Sequence, residues 1–187
     1  MQAVQRGDLA KLGSLFERHH LAVFDFLARM TGSRAVAEDL VQDVFERILK
    51  YRATYRGDAP FGAWLFRIAR NARADYYRRR EFMAPYTESM DGPDPAPGPE
   101  TVLEDAGESA RLQRALLALR EDKRELIVLA RYREMKYEAI AELLGVDVGT
   151  IKVRVHRALK ELRDIFLTQD SRPPCDVKTF PLNSRTI

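Results

Sequence analysis

The chain has 187 residues, of which 45% are hydrophobic and 32% are charged, and its formal net charge is only +3. This length suits one ordinary domain or two small ones, while so small a net charge indicates no class of partner by itself. A single cysteine, Cys175, excludes an intramolecular disulfide and a cysteine-based metal cluster. No apolar run is long enough to cross a bilayer, and the first residues lack the apolar core of a signal peptide. We therefore expect a cytoplasmic protein without membrane insertion of its own.

Hydrophobic periodicity predicts three helices in the first part of the chain. The first covers about residues 8–30. The second begins after Ser33, whose hydroxyl can cap a helix N-terminus, and the third begins at Pro60, which lacks the N–H that a first helical turn leaves unpaired. Apolar side chains recur every three or four positions in each helix, which predicts a small helical domain over residues 1–81. Trp64 belongs to the apolar stripe of the third helix and is predicted to be a core residue.

Charge is distributed unevenly after this point. Between residues 60 and 80 six arginines accompany one acidic residue, whereas between residues 81 and 110 there are eight acidic residues and no lysine or arginine. The segment 82–108 also contains five prolines and no apolar period. Such a composition cannot bury enough apolar area to offset chain entropy, so we predict a flexible acidic linker. The tail 168–187 has no period either and is predicted to be disordered.

Helical periodicity resumes at Ser109, and residues 137–163 carry the most informative pattern of the chain. Two short amphipathic helices are separated by Gly145, a residue that ends helices in the left-handed conformation, and Asp147 can cap the second helix. The second helix has an apolar stripe made of Ile151, Val155 and Leu159. Its basic side chains lie largely off that stripe. A helix-turn-helix of this kind places its second helix in a DNA major groove.

In their order and spacing these segments resemble the extracytoplasmic-function (ECF) group of the bacterial sigma-70 family. The resemblance covers residues 7–166 and is carried by AEDLVQDVFERIL (37–49), YRGDAPFGAWLFRIARNARADYYRRR (55–80) and YEAIAELLGVDVGTIKVRVHRALKEL (137–162). It implies an all-α protein with a region 2-like domain at 1–81 and a region 4-like helix-turn-helix domain at 109–167. It also implies a transcription initiation factor that directs core RNA polymerase to promoters.

The resemblance implies three functional surfaces. One would dock on the clamp helices of the β′ subunit and comprises Asp39, Gln42, Asp43 and Glu46. Another would capture the single-stranded −10 element and comprises Tyr55, Arg56, Asp58, Arg67, Arg70, Asn71 and Arg73. A third would read the double-stranded −35 element and comprises Thr150, Lys152, Arg154, His156 and Arg157. Further implied partners are the β flap of the polymerase and an anti-sigma factor.

The chain departs from the family pattern at several positions. Lys136 replaces the serine that usually caps the first helix of the helix-turn-helix, and Arg120 replaces a proline that commonly opens the preceding helix. Val153 stands where many members carry serine, which leaves the −35 preference open. Without the resemblance, the polar face around Gln42 could equally be a solvated helix face, and Asn71 an exposed helix amide.

The residues also bear on two other classes of protein, a metal-dependent enzyme and a stand-alone regulator. Glu17 and His20 form one Glu-x-x-His, but a di-iron helical bundle needs this motif on two helices together with two further glutamates. With no phosphate loop, nucleophile elbow or Cys/His metal spacing, we predict no enzyme activity, no metal and no cofactor. The other alternative is a stand-alone helix-turn-helix regulator that binds a palindrome as a dimer. The arginine-rich third helix argues against it, because a sensor domain needs no second basic face.

Overall fold

The structure is a computed structural model that describes residues 1–8, 10–57, 60–83 and 106–168. Within these ranges the chain is helical and contains no strand, which confirms the all-α prediction. Before the undescribed segment the helices are α1 (Gln2–Gln5), α2 (Ala10–Thr31), α3 (Arg34–Tyr51) and α4 (Phe61–Met83), with a 3₁₀ turn at Arg52–Thr54. After it they are α5 (Ala106–Ala118), α6 (Glu121–Ile127), α7 (Tyr137–Leu144) and α8 (Val148–Thr168), with a π-helical turn at Val128–Tyr132.

The helix ends differ from the predicted ones at a few places. The sequence pattern did not indicate α1, which has only four residues and therefore no readable period. Helix α4 continues to Met83 and α5 begins at Ala106, so both extend into the ends of the segment 82–108. The rest of that segment and the predicted disordered tail lie outside the described residues.

Local signals explain where several helices begin and end. The Ser33 hydroxyl accepts a hydrogen bond from the Val36 amide at 3.3 Å, as predicted for an N-cap. Gly145 ends α7 with φ of 68°, and the Asp147 carboxylate accepts a bond from the Thr150 amide at 2.8 Å. Lys136 provides no side-chain cap for α7, as its departure from the family pattern suggested, and Arg120 provides none for α6.

The N-terminal half of the structure (residues 1–83) packs α2, α3 and α4 around buried apolar side chains. These include Phe26, Leu40, Val44, Ile48 and Leu65. Arg47 ties α3 to α4, because its guanidinium donates to Asp43 at 2.8 Å and to Asp75 at 2.6 Å. The hydrogen bond from Arg47 lowers the pKa of the Asp75 carboxyl. Helix α4, which carries the arginines of residues 60–80, is thus held in a fixed orientation against α3.

The C-terminal half (residues 106–168) does not stand apart from the N-terminal half. One buried apolar cluster runs through both and contains Leu27 and Leu65 on one side and Leu129, Ile140 and Val155 on the other. A second cluster, which includes Leu116 and Leu162, belongs to the C-terminal half alone. The sequence predicted two domains on a flexible tether, and nothing in its periodicity indicated that their cores would join.

Arg124 of α6 makes four hydrogen bonds to backbone carbonyls, one of which crosses between the two halves. Its guanidinium donates to the Met30 carbonyl at the end of α2 at 2.7 Å. It also donates to three carbonyls at the end of α5, those of Leu116 at 3.0 Å, Leu117 at 2.7 Å and Leu119 at 3.0 Å. The last carbonyls of a helix have no intrahelical partner, so one arginine here satisfies the ends of two helices.

Candidate functional site

An acidic groove between α3 and α4 has a volume of about 530 Å³. All four side chains assigned to polymerase docking line it: Asp39, Gln42, Asp43 and Glu46. Asp43 is half-buried and bonded to Arg47, whereas the other three are exposed. Sequence reasoning missed the α4 side of this groove, where Tyr76, Arg79 and Arg80 lie. Their contribution depends on how α4 packs on α3, which no pattern within either helix reveals.

An aromatic pocket of about 550 Å³ lies between the 3₁₀ turn and α4. Four side chains assigned to the −10 element line it together: Tyr55, Arg56, Arg67 and Asn71. Arg56 and Asn71 are exposed, so both can reach a ligand in the pocket. Glu142 of α7 lines the same pocket from the C-terminal half, a placement that no pattern in the sequence indicates. Asp58, the remaining loop residue of the prediction, lies outside the described residues.

Aromatic side chains form the floor of this pocket. The Tyr55 ring is only 8% exposed and meets the rings of Phe61 and Trp64 edge to face, at centroid distances of 5.8 and 5.5 Å. Trp64 is 9% exposed and its indole N–H donates to the Thr54 hydroxyl at 3.4 Å, so its predicted place in the core is confirmed. Tyr55 therefore leaves only a small part of its surface for a ligand, because neighbouring rings pack against it.

The short helix α1 holds the loop that carries Tyr55. The side-chain amide of Gln5 donates to the Tyr55 backbone carbonyl at 2.7 Å, and Val4 is fully buried. Gly57, at the next turn of the loop, has φ of 76°, a conformation that glycine adopts without steric cost. The pocket wall is thus fixed from the N-terminus, a contact that spans 50 positions of sequence.

The arginine face of α4, formed by Arg67, Arg70 and Arg73, does not lie open. Arg70 donates to a Glu125 carboxylate oxygen at 2.5 Å, and Arg73 pairs with Glu121. Arg73 is only 6% exposed. Arg67 is exposed and donates to the Glu142 carbonyl at 3.4 Å. In this conformation the side chains assigned to the −10 phosphates contact the C-terminal half.

The basic face of α8, by contrast, lies open. Lys152, Arg154, His156 and Arg157 are all exposed, while Ile151 and Val155 of the predicted stripe are buried and Leu159 is half-buried. Val153 is 50% exposed in the middle of this face.

Thr150 differs from the other residues assigned to the −35 element. Its hydroxyl donates to the Asp147 carboxylate, to which its amide also donates, and these bonds lower the pKa of the Asp147 carboxyl. The Thr150 hydroxyl is therefore part of the cap of α8.

In ranges 1–8, 10–57, 60–83 and 106–168 no group of histidine, cysteine, aspartate and glutamate is arranged to hold a metal ion. His20, the histidine of the single Glu-x-x-His, shares a hydrogen bond of 2.9 Å with the Phe16 carbonyl. Of the helices in the same ranges, none combines the length and apolar character that a membrane span requires.

Comparisons with known proteins match both halves. The sigma-70 region 2 model matches residues 15–82 and the sigma-70 region 4 model matches residues 109–162. The RNA polymerase sigma factor CarQ of Myxococcus xanthus is 34% identical over 89% of this chain and 95% of its own. The ECF RNA polymerase sigma factor SigE of Mycolicibacterium smegmatis is 34% identical over 88% of this chain and 66% of its own. A structure of the sigma factor RpoE with the anti-sigma factor NepR from Bartonella quintana has a TM-score of 0.62 at 28% identity, covering 86% of this chain and 98% of that one.

Proposed function

We propose how this chain works from one premise: it belongs to the extracytoplasmic-function group of the bacterial sigma-70 family and is a promoter-specific initiation factor of RNA polymerase. Core polymerase and promoter DNA are therefore its partners. The observation that carries the assignment of parts is that one chain holds both an aromatic pocket beside Asn71 and an open basic face on α8. The first suits an unpaired base, and the second suits duplex DNA.

The acidic groove is proposed to dock on the clamp helices of the β′ subunit. Asp39 and Glu46 place two exposed carboxylates on one face of α3, with the Gln42 amide between them. Such a face suits a partner helix rich in arginine, since complementary charge steers association and fixes register. The hydrogen bonds from Arg47 to Asp43 and Asp75 hold the two walls of the groove together.

The aromatic pocket is proposed to receive a base of the non-template −10 strand. Unstacking a base costs a few kcal/mol, and contacts in a pocket recover part of that cost. The exposed Asn71 amide can both donate to and accept from a base edge, while Arg56 and Arg67 supply positive charge near the sugar–phosphate backbone. Arg70 and Arg73 extend the same face along α4.

The basic face of α8 is proposed to enter the major groove at the −35 element. Arginine and lysine make bidentate contacts to guanine, and Val153 offers methyl groups that suit a thymine methyl. Thr150 is proposed to support this surface through the cap of α8. Its hydroxyl, at the N-terminal end of that helix, would exchange its bond to Asp147 for one to a phosphate when DNA binds.

Further proposals concern regulation and chemistry. We propose that the chain has no catalytic activity of its own and that core polymerase supplies the chemistry, in the cytoplasm. Similarity to a sigma factor solved with an anti-sigma factor supports an inhibitor of the same class for this chain. Contact of the C-terminal half with the polymerase β flap is proposed on the family pattern.

Run-off transcription with purified bacterial core polymerase on a promoter library tests the whole assignment. Stable binding to core and defined transcripts from a subset of the library are the expected results. A chain that sediments as a dimer, binds a palindrome and yields no transcript with core would instead support the stand-alone regulator.

Asn71→Ala should lower the rate of promoter opening on the order of tenfold, since one amide–base contact contributes about 1 kcal/mol. Affinity for core should stay unchanged, because Asn71 lies outside the acidic groove. Permanganate reactivity of −10 thymines measures opening, and fluorescence anisotropy measures core binding. Asn71→Asp should be worse than Asn71→Ala, because it adds negative charge beside the DNA strand. Equal losses in promoter opening and in core binding would contradict the proposed contact between Asn71 and a −10 base.

Reversing charge in the acidic groove with Asp39→Lys/Glu46→Lys should weaken core binding by roughly tenfold or more, since like charges then face each other across the interface. The matched control is Glu17→Lys/Glu38→Lys, which makes the same charge change at exposed positions outside the groove. Anisotropy of the labelled chain titrated with core polymerase gives both affinities. Similar affinities for the two double variants would mean that docking lies elsewhere.

A further inference from the structure

The arginine face of α4 is held by carboxylates of the C-terminal half. Arg70 and Glu125 are joined by a hydrogen-bonded ion pair at 2.5 Å in which Glu125 is buried. Arg73, one turn later in α4, pairs with Glu121, one turn earlier in α6. Both ion pairs join residues about 50 positions apart in sequence, so α6 is placed on α4 by the fold. We call Glu121 and Glu125 the acidic face of α6.

Contacts elsewhere show that the ion pairs lie within a packed interface. At one place the Leu117 side chain sits so close to Gly32 that a Cβ there would lie 2.8 Å from a Leu117 methyl carbon. At another, the Arg133 guanidinium donates to the Ala22 carbonyl at 3.0 Å, and Arg29 stacks over the Tyr132 ring at 3.7 Å. The joined apolar cluster lies among them. The two halves thus form a closed state with several independent contacts.

We infer that the acidic face of α6 is an intramolecular docking site for the arginine face of α4 and competes with single-stranded −10 DNA for the same guanidinium groups. This inference rests on the proposed function of that face. Carboxylate and phosphate oxygens both accept paired hydrogen bonds from arginine, so one can replace the other. Arg73, almost fully buried beneath α6, cannot reach a strand until the halves separate.

The closed state also narrows access to the aromatic pocket. Glu142 of α7 forms part of the pocket lining, and its carbonyl accepts the bond from Arg67. A carboxylate at this place repels the phosphates that would accompany a captured base. Closure therefore affects both parts of the −10 surface, the pocket and the arginine face.

The electrostatics of the interface favour reversible closure. Burial raises the pKa of the Glu125 carboxyl, and the nearby Arg70 offsets only part of that effect. Among the described residues the Arg73 Nε is buried without a hydrogen-bond partner. Buried ion pairs return little of their desolvation cost, so opening to water or to phosphates sacrifices little polar free energy. Separation is opposed mainly by the apolar contacts and by the guanidinium–carbonyl bonds of Arg124 and Arg133.

Glu121→Lys/Glu125→Lys places lysines against Arg70 and Arg73 and should open the chain. Because added positive charge alone tightens DNA binding, the control is Glu138→Lys/Asp164→Lys, the same change at exposed positions of the C-terminal half. The test variant and the control also carry Cys175→Ser and Lys160→Cys, so that an acceptor dye can be attached to α8 at position 160. Energy transfer from Trp64, the single tryptophan, then reports the distance between α4 and α8. Circular dichroism checks folding.

The expected result is lower energy transfer in Glu121→Lys/Glu125→Lys than in the control, without polymerase present. A fluorescein-labelled 12-nucleotide single-stranded DNA of mixed sequence should also bind this variant about tenfold tighter than the control, since the fraction of competent molecules rises. Equal energy transfer in both variants, or equal DNA affinities, would overturn the inference.

Leu117→Gln provides a second, uncharged variant in case the double reversal fails to fold. The Leu117 side chain packs on Gly32, outside the arginine face of α4. Its replacement should therefore open the chain, lower energy transfer and raise DNA affinity without changing the net charge. If the Leu117→Gln chain opens but its affinity for single-stranded DNA stays unchanged, the acidic face of α6 does not compete with DNA. Because these measurements use the chain alone, they remain interpretable if run-off transcription fails and the proposed function with it.

Discussion

Arg124→Met is expected to lower the free energy of unfolding by about 3 kcal/mol. Removing the guanidinium leaves the carbonyls of Met30, Leu117 and Leu119 without a donor at about 1 kcal/mol each, whereas the Leu116 carbonyl keeps a bond from the Leu119 amide at 3.2 Å. Four carbonyls lose a bond at once, three at the end of α5 and one, that of Met30, at the end of α2. Methionine keeps much of the aliphatic stem, so lost packing contributes little. In a chain of this size each kcal/mol lowers the melting temperature by roughly 2–4 °C.

Urea unfolding followed by circular dichroism measures the Arg124→Met effect. Its matched control is Arg114→Met, the same change at an exposed position of α5, for which a change within about 0.5 kcal/mol is expected. A loss below about 1 kcal/mol for Arg124→Met would mean that water replaces the guanidinium at these carbonyls.

Arg154→Ala/Arg157→Ala should reduce affinity for −35 duplex DNA by roughly a hundredfold at low salt, because each well-made arginine contact in the major groove contributes about 1–3 kcal/mol. Both guanidinium groups lie on the open basic face of α8, and the buried stripe on its other side is untouched. Fold stability should therefore stay unchanged, which separates this defect from that of Arg124→Met.

Fluorescence anisotropy with a duplex from an active library promoter, repeated over a salt series, measures this second effect. If both arginines contact phosphates, the slope of log affinity against log salt should fall by about 0.9 for each. A loss confined to particular −35 sequences at unchanged slope would make them base readers. The control, Lys160→Ala/Arg163→Ala, removes the same charge from exposed positions further along α8. An equal loss in that control would contradict a localised reading surface.

Sequence reasoning predicted the features that depend on neighbours a few positions away. The cap by Ser33, the left-handed Gly145 and the burial of Ile151 and Val155 all follow from local geometry and from the 3.6-residue period. The same reasoning placed Trp64 in the core, because its stripe is repeated along α4. Assignment to a family then linked these local features to polymerase and promoter.

Features that depend on long-range packing were not predictable. Arg124 looks like any exposed helix arginine in the sequence, and its four carbonyl partners become visible only when two helix ends meet. The family resemblance implied that Arg70 and Arg73 contact the −10 strand, and the structure adds carboxylate partners about 50 positions away. The resemblance placed Tyr55 on the −10 surface, but it did not indicate that the rings of Phe61 and Trp64 would pack against it and leave it 8% exposed.

Gly32 has one more consequence, for attempts to build chimeras within the family. Its φ of 73° strains any other residue, and a Cβ there would lie 2.8 Å from a Leu117 methyl carbon, so a side chain at this position requires Leu117 to move. A hybrid that joins the N-terminal half of this chain to the C-terminal half of a relative therefore keeps Gly32 but can lose Leu117, which packs against it. We expect substitutions at positions 32 and 117 to covary among relatives that share this interface.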